Sequence, residues 1–165
     1  MKMRNLNPDI DRIKEVSYRY IKFRFRSEYE LKVHLRKKGY IDCDIDNCIS
    51  QLKEEGFLDD KRFAKFYAYD SLTIKFKGPL KIKNELENFG IEGYIIEDTI
   101  DELMKEIDIK EVVREYLEKK YRNIDLNKIE KYKIVGNLYR RGFVIYDVEG
   151  VLNDYIDYRK EDWGF

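Results

Sequence analysis

The sequence contains few of the residues that end regular secondary structure or cross-link a chain. Of its 165 residues, two are proline, nine are glycine, two are cysteine and one is histidine. So little proline and glycine predicts long regular elements. Cys43 and Cys48 have no further cysteines to pair with, so we expect neither a disulfide framework nor a zinc site. We expect both to be small buried side chains in a reducing compartment.

The chain also lacks a long apolar run and an excess of either charge. No stretch reaches the roughly eighteen apolar residues of a membrane-spanning helix, and the first residues are polar, unlike a signal peptide. We therefore expect a cytoplasmic protein without a membrane partner. The 33 basic and 33 acidic residues cancel, which argues against a generic nucleic-acid-binding protein, since such proteins are usually basic.

Residues that would organise catalysis are equally scarce. His34 lies between Leu31 and Leu35 and has no cysteine, serine or acid cluster at triad or ligand spacing, so we expect a structural or surface role. The pair Asp59-Asp60 has two interpretations, metal-assisted chemistry or the capping of a helix, and capping explains it fully. We predict no catalytic, cofactor-binding or metal-binding residue, and hence a protein that is not an enzyme.

What the sequence does contain is an internal repeat. A leucine, a glycine four residues later and a following apolar segment occur three times, around Leu35-Gly39, Leu86-Gly90 and Leu138-Gly142. Further apolar anchors recur with them: Leu31, Ile45, Ile49 and Leu52; Ile82, Ile96, Ile100 and Leu103; Ile134, Val148, Leu152 and Tyr155. Three ungapped copies of one pattern indicate a repeat architecture.

The spacing within each copy predicts helices. Apolar residues at i, i+4 and i+8 form one helix face, and a glycine just past the end suits the left-handed conformation there. Ser27 to Glu30 match a capping box. We predict helices over 10–23, 28–38, 43–55, 60–72, 79–89, 93–105, 108–121, 128–141 and 146–158. The predicted fold is all-α, an elongated array of three tandem three-helix repeats at 1–56, 57–106 and 107–158, followed by a tail at 159–165.

The sign of the charged side chains depends on their position in the repeat. Basic residues concentrate in the second helices and their lead-ins, and the segment 71–84 holds four lysines without an acid, whereas the third helices are acidic. The basic side chains could follow a phosphate backbone, and the acidic ones could meet a basic protein surface or keep nucleic acid on one side. Alternatively, both are solvated faces that neutralise each other. The candidate contacts are Arg24, Arg26, Lys32, Arg36, Lys37, Lys38, Arg62, Lys75, Lys77, Lys81, Lys83, Lys131, Lys133, Arg140 and Arg141.

Three segments resemble signatures of the RecX family of recombination regulators. The first runs from Arg26-Ser27-Glu28 to Lys38-Gly39. The second, and most specific, is Gly56-Phe57-Leu58-Asp59-Asp60 with Arg62-Phe63-Ala64 and Tyr67. The third runs from Lys77-Gly78-Pro79 to Gly90-Ile91. Their order and spacing are similar to the family over roughly residues 15–157.

The resemblance implies three tandem three-helix repeats and a non-enzymatic modulator, and the ungapped repeat predicts that the protein is a monomer. Such a protein binds the filament of the RecA recombinase on single-stranded DNA and inhibits RecA ATPase, strand exchange and co-protease activity, in recombination, DNA repair and the SOS response. Lysines stand where relatives often carry arginines, and lysine lacks the planar fork that grips phosphate, which predicts weak binding to free DNA. A plain nucleic-acid-binding array and a protein-only scaffold are the alternatives.

Overall fold

The computed structural model describes residues 8–124 and 131–162, and the side chains within 11–124 and 131–159. These residues form nine helices and no strand. The helices are α1 (Pro8–Ile21), α2 (Glu28–Lys37), α3 (Asp42–Glu54), α4 (Asp60–Thr73), α5 (Pro79–Asn88), α6 (Gly93–Glu106), α7 (Ile109–Tyr121), α8 (Lys131–Arg140) and α9 (Ile145–Asp162). The all-α fold is confirmed. In this described part, no helix is long and apolar enough to cross a membrane.

Local signals set the helix starts. Ser27 closes the predicted capping box: its Oγ accepts the Glu30 N–H at 3.1 Å, and the Glu30 carboxylate accepts the Ser27 N–H at 3.3 Å. Asp59 caps α4 by accepting the Arg62 N–H at 2.9 Å. Pro79 opens α5, where its fixed φ suits the first turn and its missing N–H costs nothing.

The second helix of each repeat ends at a glycine in the left-handed region. Gly39, Gly90 and Gly142 have φ values of 88°, 73° and 87°. A side chain there would bring Cβ close to the following carbonyl oxygen, so glycine is the residue that allows the chain to turn into the third helix.

The repeat anchors form the core. Leu35, Leu86 and Leu138 are completely buried, and the other apolar anchors are buried as well except Ile100, which is half-buried against the core. Unit 1 (α1–α3) has a core of its own. Unit 2 (α4–α6) and unit 3 (α7–α9) share a second, larger core. The array is therefore one small packed body joined to one larger one.

The two junctions between units are built alike. Ser27 Oγ, before α2, donates to the Phe89 carbonyl at the end of α5 over 2.7 Å. Gly78 N–H, before α5, donates to the Arg141 carbonyl at the end of α8, also over 2.7 Å. Ser27 and Gly78 occupy the same repeat position, as do Phe89 and Arg141. Each unit thus presents the start of its second helix to the end of the next unit's second helix.

Three local predictions differ from the structure by more than a single residue at a helix end. Helix α1 covers 8–21 instead of 10–23, and α9 runs to Asp162, past the predicted end at 158, because Arg159 ties its last turn to the Arg122 carbonyl at 2.6 Å. Cys48 is buried, but the prediction was wrong for Cys43, which is exposed because it lies off the apolar face of α3. Residues 128–130 of the eighth predicted helix and 163–165 of the tail lie outside the described residues.

Candidate nucleic-acid interface

The second and third helices of unit 1 neutralise each other's charge. Lys32 Nζ lies 2.6 Å from Asp46 Oδ1, and Arg36 Nε lies 2.7 Å from Asp42 Oδ1. The hydrogen bond from Arg36 lowers the pKa of the Asp42 carboxyl. Exposed pairs of this kind add little stability, but they reduce the charge that α2 offers to a ligand. Here the interpretation of two mutually neutralising faces fits the structure.

The lead-in to α2 and its last turn differ in the charge they leave available. Arg24 and Arg26 both contact the Glu30 carboxylate, and the Arg26 pair is 3.2 Å long. Lys37 and Lys38 are exposed at the carboxyl end of α2. The positive charge that unit 1 offers to a ligand is therefore greatest at this helix end.

Units 2 and 3 bring basic side chains together where they meet. The Arg141 guanidinium donates to the carbonyls of Lys75 at 2.9 Å and Phe76 at 3.0 Å. Its Cζ also lies 4.3 Å from the centre of the Tyr116 ring. The Lys75 ammonium is 5.4 Å from the Tyr67 ring. Arg141 therefore joins the chain before α5 to α7 and holds Lys75 beside aromatic side chains.

Two further lysines lie at the same junction, and the sequence interpretation missed both. Lys119 Nζ is 4.6 Å from the Phe76 ring, and Lys120 Nζ is 5.6 Å from the Tyr116 ring. Both are in the last turn of α7, which is the first helix of its unit, and the sequence pattern placed basic residues in the second helices and their lead-ins. Lys119 also pairs with Glu115 at 2.8 Å. We name Lys75, Lys77, Lys119, Lys120 and Arg141 the junction cluster.

Lys77 is the least available member of the junction cluster. Its ammonium lies 2.6 Å from Glu85, which also accepts the Tyr67 hydroxyl at 2.6 Å. Burial opposes ionisation of Glu85, but the hydrogen bonds from Lys77 and Tyr67 outweigh it and lower the pKa of that carboxyl. An acid one residue beyond the acid-free segment thus neutralises one of its four lysines.

The remaining candidate residues lie on α4, α5 and α8. Arg62 stands over an aromatic pair that joins units 1 and 2: its Cζ is 5.0 Å from the Phe25 ring and 5.7 Å from the Phe66 ring. The two rings stack at 4.9 Å. The other candidates on α5 and α8 are exposed: Lys81, Lys83, Lys131, Lys133 and Arg140. Lys81 adjoins the junction cluster, since its backbone packs against Gly142.

Acidic side chains line a groove elsewhere on the molecule. The groove runs between α4, α6 and α7 in two adjoining parts of about 620 and 690 Å³, which share Tyr69 and Glu106. Lys65 at one end pairs with Glu102 at 2.6 Å. The first part is balanced in charge, since three carboxylates and three cations line it: Asp59, Glu102 and Glu106, and Lys61, Arg62 and Lys65. The second part has five carboxylates against Arg114 alone: Glu106, Asp108, Glu111, Glu115 and Glu118. This second part, which we name the acidic groove, repels phosphate.

Within the described part of the chain, no three histidine, cysteine, aspartate or glutamate side chains are placed to hold a metal ion. Asp59 is used as a helix cap. Asp60 accepts the Glu28 N–H across the first junction at 2.9 Å. His34 is half-buried and stacks on Tyr20 at 3.9 Å between ring centres. Each of these three side chains has a structural contact.

Comparison with known proteins gives consistent matches. The profile of the first three-helix domain of RecX matches residues 14–52, and that of the second matches 59–100. "Regulatory protein RecX" of Thermotoga sp. strain RQ2 is 32% identical over 135 residues, which are 82% of this chain and 79% of that protein. The protein of the same name from Geobacillus kaustophilus is 32% identical over 82% of this chain and 51% of its own length.

Solved structures agree at the level of the fold. The crystal structure of RecX from Lactobacillus salivarius superposes with a TM-score of 0.70 at 24% identity, covering 89% of this chain and 96% of that one. A second crystal structure, of a regulatory protein RecX, gives a TM-score of 0.71 at 20% identity over 87% of this chain and 71% of that one.

Proposed function

This chain belongs to the RecX family of regulatory proteins, and we propose that it regulates RecA by binding the RecA–single-stranded-DNA filament. In this role it lowers RecA ATPase, strand exchange and co-protease activity, in recombination, DNA repair and the SOS response. It acts without a cofactor and without chemistry of its own, as a monomer in the cytoplasm.

The observation that carries the proposal is the junction cluster. It places five cations around Tyr67, Phe76 and Tyr116, where two units meet. Phe76 and Tyr116 are buried, so the rings hold the cations in position, and the cations can meet the phosphates of a nucleic-acid strand. Zero net charge is compatible with this, because the acids collect on the third helices and in the acidic groove.

The acidic groove supports a one-sided contact. Its carboxylates come from the end of α6, the cap of α7 and α7 itself, and they would repel a phosphate backbone. A strand is therefore held at the junction cluster and kept away from the groove. This arrangement fits the sequence-based idea that the acidic helices confine nucleic acid to one side.

The test is RecA ATPase on single-stranded DNA, measured with this chain and with a variant. The variant carries Lys75→Gln, Lys119→Gln and Lys120→Gln, three junction-cluster lysines that stand beside its aromatic rings; it retains Lys77, because Gln there would break the pair with Glu85. We expect the parent to lower the ATPase rate and the variant to need a higher concentration for the same effect. The plot of log affinity for the filament against log salt should also flatten by up to about 0.7 per lost phosphate contact.

A matched control separates position from net charge. Lys61, Lys105 and Lys110 are exposed lysines on α4, α6 and α7, and changing all three to glutamine removes the same charge at positions outside the junction cluster. This control should inhibit RecA like the parent. Inhibition that is equal in parent, variant and control would remove the junction cluster from the interface. No effect of the parent on RecA would contradict the function and favour a plain nucleic-acid-binding array or a protein scaffold.

A further inference from the structure

A small basic and aromatic pocket lies in unit 1, apart from the junction cluster. It measures about 340 Å³ between the end of α1, the bend after it and α2. Its described lining residues are Val16, Arg19, Tyr20, Phe23, Arg26, His34 and Lys38. Among these there is no carboxylate. The volume is at the lower end of the range for ligand pockets, about 300–1,000 Å³.

One wall of the pocket is a rigid stack. Tyr20 and His34 lie face to face, with ring centres 3.9 Å apart and planes within 8°. The Arg26 guanidinium carbon lies 4.2 Å from the Tyr20 ring centre. Arg26 Nε is buried and has no hydrogen-bond partner, although another nitrogen of the same side chain reaches Glu30 at 3.2 Å. The stack therefore holds a guanidinium whose hydrogen-bonding capacity is only partly used.

Part of the pocket lining is exposed to solvent. The Phe23 ring is 85% exposed, among the most exposed aromatic side chains of the described residues. Arg19 also lies at the surface, in an exposed pair with Glu15 at 3.0 Å that a stronger partner can replace at small cost. The pocket thus offers one free aromatic face beside cationic side chains.

The electrostatic field in the pocket is positive. Burial lowers the pKa of His34, and the charges of Lys38, Arg26 and Lys37 lower it further. Glu15 and Glu30, which do not line the pocket, pair with Arg19 and Arg26 and offset part of their charge. Three cations line the pocket and two of them are paired, so an anion that enters it still meets a net positive charge.

We propose that this pocket binds one nucleotide of a single-stranded nucleic acid, with the base stacked on Phe23 and a phosphate held by Arg19, Arg26 and Lys38. The assignment rests on the proposed function and deepens it, since it names a place where the strand contacts unit 1. A free phosphate would contact only the cations, and the exposed phenyl ring of Phe23 would have no partner. A base with its phosphate uses both, as in other single-strand binding sites.

The single histidine of the chain is a built-in reporter of occupancy. The ring C–H proton of His34 is followed by NMR while the full chain, without RecA, is titrated with oligothymidylate of about eight nucleotides, within usual single-strand site sizes. We expect the signal to move. The pKa of His34 should rise at saturation, because a nearby phosphate stabilises the imidazolium.

Two exposed aromatic residues provide the variant and its control. Phe23→Ala should weaken oligothymidylate binding about 5- to 100-fold, the usual range for loss of one stacked base. Tyr146→Ala removes a ring that is 89% exposed on α9, far along the sequence, and should bind like the parent. Circular dichroism confirms that both variants are folded.

An abasic oligomer of the same length separates a base site from a general anion site. It should bind the parent as weakly as Phe23→Ala binds oligothymidylate. Equal binding of the abasic and thymine oligomers, equal loss in both aromatic variants, or an unmoved His34 signal would each overturn the pocket assignment. If the His34 signal does not move while the RecA ATPase rate still falls, the pocket assignment is excluded and the proposed function stands. If the His34 signal moves while the RecA ATPase rate does not fall, the proposed function is excluded and the pocket assignment stands.

Discussion

Asp60 is a first-turn residue of α4 and also a contact between units 1 and 2, whereas its neighbour Asp59 is a helix cap alone. Asp59 is an exposed helix cap, whereas Asp60 is half-buried in the first turn of α4 and accepts the Glu28 N–H of unit 1. Burial raises the pKa of Asp60 to about 6, although the hydrogen bond from Glu28 opposes the shift. The carboxyl therefore joins units 1 and 2 at the cost of being difficult to ionise.

A pH dependence of stability follows from that shift. Because the folded pKa lies above the unfolded one, the folded chain retains a proton that the unfolded chain has lost between about pH 4 and 6. The contribution of Asp60 to the free energy of unfolding is therefore full below pH 4 and is lost as the pH rises through 6. Asp60→Asn, which keeps an acceptor for the Glu28 N–H, should gain stability relative to the parent from pH 4 to pH 7. Urea unfolding at both pH values measures this; a constant difference would contradict it.

The repeated leucines give a second prediction. Leu35, Leu86 and Leu138 are completely buried, so replacing any of them by alanine leaves a cavity and should cost about 2–5 kcal/mol of unfolding free energy. Leu80 is 49% exposed on α5, and Leu80→Ala is the control, expected to cost clearly less. A loss below about 0.5 kcal/mol at a buried leucine, against the usual cost of such a change, would mean that the site collapses without leaving a cavity.

At the scale of elements, the three helix-ending glycines are equal in conformation but not in surroundings. A Cβ added at Gly39 would meet nothing within 4 Å, whereas one at Gly142 would lie 2.4 Å from the Lys81 nitrogen. At Gly90 the added Cβ would lie 2.5 Å from that of Tyr29. Gly90 and Gly142 therefore serve both the turn and the junction, and Gly39 serves the turn alone.

Alanine at two of these glycines separates the contributions. Gly39→Ala should cost about 1 kcal/mol, the price of a left-handed alanine. Gly142→Ala has the same backbone strain and a collision with α5, so it should cost about 2–4 kcal/mol, as other overpacked sites do. Thermal unfolding of the two variants measures the difference. Equal losses would show that the junction between units 2 and 3 yields easily.

The features that the sequence predicted are those with short-range causes. The capping box at Ser27, the cap at Asp59 and the glycine turns need only residues a few positions apart, so they could be recognised directly. The contact of Ser27 with Phe89 spans 62 positions, and nothing local signals it. Lys119 was missed for the same reason, because its place beside Phe76 depends on how unit 3 packs on unit 2.

The charged side chains show the same difference between short-range and long-range causes. Residue types revealed which helices are basic and which are acidic, but which charges remain available depends on tertiary pairs. Lys32 is paired with Asp46 across two helices, and Lys77 with Glu85. Lys81 is exposed, although in the sequence it resembles Lys77. Only the packed array distinguishes them.

At the scale of the whole molecule, two separate cores predict stepwise opening. Unit 1 packs around its own core, whereas units 2 and 3 share theirs. Cooperative units with fewer buried contacts open first. In hydrogen exchange with low urea, the amides of α1–α3 should lose protection before those of α4–α9. Simultaneous loss along the chain would show that the contacts of Ser27 and Asp60 couple unit 1 fully to the rest.

The likeness of the two junctions has a geometrical consequence. Both connect the start of one second helix to the end of the next, so the array has a front and a back and no symmetry that exchanges them. A polynucleotide is also directional, because its 5′ and 3′ ends differ. A strand lying along successive units would therefore meet different contacts in its two orientations, and one of them would be preferred. That preference for strand polarity would belong to the order of the units and not to any one side chain.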